Sequence, residues 1–157
     1  MNSLWKKGRF HEARSSPEAG FIGGFEGLLF GLLLFVVGTL FVTHAWAVVD
    51  TKAATEAAAR QAARTYVEAS SEAAASAAQR AAAATLSGYG RAPARANVRL
   101  AAGTFGRCQR ITIAVSYPAP LLILPWLGRV GSAETVQARH SELVDPYRSG
   151  LAGTSAC

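Results

Sequence analysis

Few side chains in this sequence have the chemistry of a site: Cys108 and Cys157, the histidines His11, His44 and His140, and Arg139 beside the last of these. A cysteine attacks a carbonyl when a histidine takes its proton and a cation holds the developing oxyanion, so Cys108, His140 and Arg139 are the residue types for that reaction. Their spacing gives it no support. The chain from Arg91 onward is too short for the closed barrel that extracellular transpeptidases build, and pairing with Cys157 would remove the thiolate that attack needs. The histidines fall in three separate regions, which predicts no metal cluster, no cofactor and no enzymatic role.

The two cysteines form an even pair without metal-ligand spacing, which predicts a Cys108–Cys157 bridge in an oxidising compartment. Closing that loop would stabilise a small domain by roughly 4 kcal/mol in the chain-entropy model. Two free thiols are the alternative.

The elements that must carry these residues begin with an apolar stretch. Between Phe21 and Val49 only Glu26 and His44 are ionisable, and the length suits the roughly 20 residues a helix needs to cross a bilayer. Only a helix can pair all its backbone groups in hydrocarbon, so helix is predicted despite the glycines and β-branched residues. Lys6, Lys7, Arg9 and Arg14 precede it, whereas Lys52, Arg60 and Arg64 beyond it are interleaved with acids. The bias predicts a cytoplasmic N-terminus and an extracytoplasmic remainder, a single-pass plasma-membrane topology. Ala45-Trp46-Ala47 also fits a signal-peptidase pattern, but the uncharged run Gly27 to Thr43 is longer than the usual apolar core of a signal peptide.

The net charge of +6 does not point to nucleic acid, because the basic residues are scattered and no stacking aromatics alternate with them. Contact with anionic lipid heads and simple solvation account for it.

Residues 1–20 read as a cytoplasmic leader, 21–49 as the membrane helix and 50–87 as an alanine-rich helix continuing it. Residues 88–157 read as a small disulfide-linked β domain. No proline interrupts 21–87, so a helix of about 65 residues is predicted, roughly 95 Å at 1.5 Å per residue. Its charges recur every four residues, allowing Glu56 with Arg60 and Arg64 with Glu68. Ala54, Ala58 and Ala62, then Ala73, Ala77 and Ala81, form a surface of small residues for docking on the chain's own β domain or on another chain.

Gly88-Tyr89-Gly90 and Pro93 should stop the helix. Val98 to Leu100, Ile111 to Tyr117 and Glu134 to Glu142 alternate with the period of strands, predicting an antiparallel sheet of three to four strands and an α+β fold. The proline-broken run Tyr117 to Leu127 reads as a loop between strands.

Within the apolar helix Gly23, Gly27 and Gly31 form two overlapping GxxxG units, a face that admits another helix closely. A lipid-facing anchor with incidental glycines is the alternative. Glu26 lies beside that face, about one turn inside the apolar stretch, where a carboxylate must reach the interface or meet a cation.

The basic leader, the stretch Glu18-Ala19-Gly20-Phe21-Ile22-Gly23-Gly24-Phe25-Glu26-Gly27, the long helix and the small outer domain together resemble a TadE-like minor pseudopilin of the tight-adherence (Flp-type) pilus systems. Ser141 to Arg148 is similar to actinobacterial members. The resemblance implies a non-enzymatic pilus-assembly component whose partners are other membrane pilus-assembly proteins or pseudopilins and the lipid bilayer, with no nucleic acid or small-molecule substrate. It also implies possible prepilin-peptidase processing between Gly20 and Phe21. That cut would put Glu26 at the sixth position, whereas the pilin pattern has the glutamate at the fifth, and Gly27 follows it instead of an aromatic residue. Readings outside this family are a membrane-anchored envelope ligand-binding module and a cleaved secreted protein.

Overall fold

The computed structural model describes residues 17–119, 122–124, 128–130 and 134–157, with side chains described from 24 onward except at 122–124 and 129–130. Most of the expected leader lies outside this set. The described chain is α+β, with a long N-terminal helix, a short second helix and a three-stranded antiparallel sheet. It divides into two compact units, one ending at Phe41 and the other comprising Val42–Cys157.

Helix α1 (Pro17–Glu68) opens on a proline, whose missing N–H costs nothing in a first turn. Every residue from Gly24 to Thr43 is exposed, so this part of the helix has no apolar contact with its own chain. The register of burial changes beyond it. Thr51, Ala54, Thr55, Ala58, Ala59, Ala62 and Ala63 are fully buried, at the three- and four-residue spacing of one helix face. The two threonines carry hydroxyls into this core, and each is satisfied one turn back: Thr51 donates to the Ala47 carbonyl and Thr55 to the Thr51 carbonyl, both at 2.7 Å.

The predicted unbroken helix to residue 87 is corrected here: α1 stops at Glu68, a turn occupies 69–73, and α2 (Ala74–Gly88) begins afresh. Neither proline nor glycine causes the break. Ser70 and Ser71 are weak helix formers, and the terminal carbonyls find a partner from elsewhere in the chain. The Arg148 guanidinium donates to the Val67 carbonyl and, at 2.7 Å, to the Ala69 carbonyl. A cation at a helix C-terminus also opposes the macrodipole favourably. The break resets the phase, so the buried stripe of α2 is Ala74, Ala78, Ala82 and Leu86, while Ala73, Ala77 and Ala81 only flank it.

Helix α2 ends in a left-handed cap. Gly90, at φ +67°, lets its own N–H reach the Ser87 carbonyl and the Arg91 N–H reach the Leu86 carbonyl, both at 2.9 Å. This turn delivers Arg91 to Asp50 of α1, 41 residues earlier, in a part-buried ion pair.

The sheet runs in the order β1 (Asn97–Ala102), β2 (Arg110–Pro118), β5 (Thr135–Leu143), all antiparallel. Ile111, Ile113, Val115 and Tyr117 of the central strand are buried with the alanines of both helices, Leu86, Ala138 and Val144 in one core. Alanine on the helices lets the β-branched side chains of β2 sit against the backbone. Gly103 closes the β1–β2 connection at φ +97°, and a Cβ there would collide with the Arg110 carbonyl. Part of the stretch expected as loop is strand: β3 (Leu122–Leu124) pairs with β4 (Gly128–Val130) as a separate hairpin. Pro118, Pro120 and Pro125 bracket these three leucine and isoleucine residues without entering them, and Gly128 takes the positive φ.

Arg148→Ala should destabilise the Val42–Cys157 unit by about 2–3 kcal/mol, because two helix-end carbonyls lose a charged donor. Lysine at this position should recover part of that loss, and denaturant unfolding of the detergent-solubilised chain reads both.

Candidate functional site

The residues singled out by the sequence fall into two groups, one in each compact unit. Gly20, Phe21 and Gly23 lie in the first turns of α1, followed by Glu26, Gly27 and Gly31. Among the described residues α1 is the helix long and apolar enough to cross a membrane, and its most apolar window is entirely unburied. A side-chain carbon built at Gly24, Gly27, Gly31 or Gly38 would meet nothing within 4 Å. Among the described residues the glycines therefore serve no contact. Gly24, Gly31 and Gly38, seven residues apart, extend the small-residue face predicted from Gly23, Gly27 and Gly31 for another two turns; this seven-residue spacing was present in the sequence but masked by the stronger GxxxG pattern.

Large apolar side chains flank that face, with Phe25, Phe30, Phe35, Phe41 and Val42 all more than half exposed. Glu26 is exposed one position before Gly27. The hydroxyl of Thr39 donates to the Phe35 carbonyl one turn back at 2.8 Å.

In the other unit Cys108 and Cys157 are joined, with Cα atoms 5.4 Å apart and 49 residues of separation. The bridge pins the chain's last residue against the start of β2. Cys108 takes the left-handed conformation at φ +57°, and its N–H reaches the Val144 carbonyl at 3.2 Å. Arg107 holds the same tail twice, its backbone N–H to the Ala152 carbonyl at 3.0 Å and its Nε to the Arg148 carbonyl at 3.1 Å. Around them the Arg148 guanidinium lies 5.7 Å from the Phe105 ring centre, and Phe105 lies 5.8 Å from Tyr66 of α1. Arg148 is the residue that sequence reasoning missed. Its only signal was an arginine two residues past a proline-tyrosine turn.

The bridged sulfur has no thiolate to offer, and His140 pairs with Glu142 on its own strand at 3.1 Å. Arg139 points to the opposite face of the sheet from His140. Among the described residues no group of three or more His, Cys, Asp or Glu side chains is placed to hold a metal ion. Of the two helix pairs expected, Arg64–Glu68 forms at 2.9 Å, and the hydrogen bond that Arg64 donates to the Glu68 carboxylate raises the Arg64 pKa above its ordinary value. Glu56 and Arg60 instead line an open groove with Gln137 to His140 of β5.

No family model, curated protein or solved structure matches the chain.

Two measurements check this division of labour. Gly27→Leu with Gly31→Leu should leave the unfolding of the Val42–Cys157 unit within about 0.5 kcal/mol of the parent, since no described residue meets a side-chain carbon built at these positions. Cys108→Ser with Cys157→Ser should cost that unit about 3–4 kcal/mol, and the parent treated with reductant should lose a similar amount.

Proposed function

We propose that this chain is a single-pass, TadE-like membrane protein that assists assembly or export of a pilus-like structure by packing and without catalysis. The observation that carries the reading is a bare apolar helix beside a finished fold. From Gly24 to Thr43 the helix buries nothing and presents glycines with open space before them, while the unit from Val42 onward completes its own alanine and β-branched core. In lipid, apolar side chains gain nothing by leaving the tails, so association depends on close backbone approach and on polar contacts. The glycine face supplies the first and Glu26 the second.

Lys6, Lys7, Arg9 and Arg14 favour an N-terminus on the cytoplasmic side, and a disulfide at Cys108–Cys157 fits an oxidising compartment for the remainder. Anchoring is supported over signal cleavage by the course of α1. The helix passes through Ala45-Trp46-Ala47 without interruption, and a cut after Ala47 would separate the carbonyl that accepts the Thr51 hydroxyl. Glu26 meets a cationic group of a neighbouring helix in this reading, and the bilayer and other membrane pilus-assembly proteins or pseudopilins are the partners.

Crosslinking in native membranes, followed by purification of the chain, tests the reading. The parent should bring down other membrane helices, whereas Gly27→Leu with Gly31→Leu should abolish their recovery without changing the amount of chain in the carbonate-washed membrane. Unchanged recovery would return the reading to an anchored ligand-binding module. Intact mass without reductant gives an independent check: loss of residues through Gly20 indicates pseudopilin-type processing, and loss through Ala47 removes the anchor altogether.

A further inference from the structure

The face of the three-stranded sheet turned away from the helices has no role in that packing. Ile111, Ile113, Val115 and Tyr117 point into the core, so Arg110, Thr112, Ala114 and Ser116 point out. Cross-strand partners share a face, and Ala114 lies opposite Arg99 on β1 and Arg139 on β5. The face therefore carries Arg99, Arg110 and Arg139, all three exposed, and no acidic residue. None of the ion pairs among the described residues engages them. Of the acids near Arg139, Glu142 faces the other way with His140, Glu134 precedes β5, and Glu56 of α1 lines the groove along Gln137 to His140.

Between the arginines the floor is small and polar. Thr112 and Ser141 share a hydrogen bond at 2.9 Å, and Asn97, Ser116 and Gln137 form the next row of register partners. Ala114, although on the outer face, is only 1% exposed. Arg99 and Arg139 stand two strand spacings apart, roughly 10 Å. A protein partner draws most of its binding energy from aromatic and aliphatic anchors in pockets; among its described residues this face has no aromatic, and its one large aliphatic side chain is Leu143, opposite Arg110 at the end of the ladder. Single-stranded nucleic acid would want aromatic platforms for its bases, also missing here. A polar floor with three exposed guanidinium groups matches a chain of phosphates with no bases to stack.

We propose that this outer sheet face, through Arg99, Arg110 and Arg139, docks a linear phosphodiester polymer of the cell envelope. The polymer's place outside the membrane rests on the topology proposed above, whereas the binding itself does not. In the assembled protein the contact would hold the outer unit against the envelope while the membrane helix packs with its partners.

The probe is fluorescently labelled long-chain inorganic polyphosphate, titrated against the full chain in nanodiscs of zwitterionic lipid at increasing salt. Replacing Arg99, Arg110 and Arg139 together by glutamine should weaken binding at least about tenfold and reduce the slope of log affinity against log salt by about 2, the value for three contacts to a flexible polyanion. Lys52→Gln, Arg64→Gln and Arg80→Gln together remove the same charge from exposed helix positions off the face, and should weaken binding by less than about threefold. The corresponding triple arginine-to-lysine variant should keep the parent's salt slope, which guards against a glutamine variant that folds poorly. Equal losses in the two glutamine variants would mean that net charge alone attracts the probe and would overturn the proposal. So would parent binding to polyglutamate as tight as to polyphosphate, or no binding by the parent. Gly27→Leu with Gly31→Leu should leave polyphosphate binding intact, so failure of the helix-packing reading and failure of this one are read separately.

Discussion

The Val42–Cys157 unit depends on how α1 is allowed to end. A helix of alanine, glutamate, glutamine and arginine has no internal reason to stop at Glu68, and its last carbonyls would be left without donors if it did. The Arg148 guanidinium resolves this by reaching Val67 and Ala69, which lie 81 and 79 residues earlier in the sequence. Arg148 is itself held by three groups of different kinds: the Phe105 ring beneath its guanidinium, Arg107 on its carbonyl, and the Cys108–Cys157 bridge that keeps the tail in place. The disulfide and the helix break are thus parts of one arrangement, although no residue of the turn at 69–73 is a cysteine or touches one in any recorded contact.

The consequence of stopping there is a second helix with its own phase. Both helices then bring alanine to β2, whose alternate positions are Ile, Ile, Val and Tyr. Small residues on one side face β-branched or aromatic ones on the other, and the close approach compensates for the small area each alanine buries. Two further long-range contacts hold the helices in place, Asp50 with Arg91 at the far end of α2 and Arg95 stacked on Tyr117 at 5.8 Å. Among the described residues no buried side-chain nitrogen or oxygen is without a partner, including the two threonines in the alanine stripe. The unit is complete in itself, and this completeness makes the bare helix before it informative. An apolar surface that no described residue covers is one that lipid or another chain can cover.

The division between sequence and structure follows the range of the interactions. The apolar stretch, the glycine spacing, the capping at Gly90 and the three main strands were legible in the sequence because each is governed by neighbours within a few residues: hydropathy over a window, a left-handed turn, or an alternation of period two. The disulfide was legible by counting. The end of α1, the change from Ala73, Ala77 and Ala81 to Ala74, Ala78 and Ala82 as the buried stripe, and the choice of the chain's own sheet as the alanines' partner were decided only by the tertiary structure. Each depends on a group some 40 to 80 residues away, such as Arg91 for Asp50 or Arg148 for Val67, and local propensity carries no record of such a donor. The short strand at Leu122–Leu124 belongs to the same class, since three apolar residues between prolines become a strand only when Gly128–Val130 folds back to pair with them.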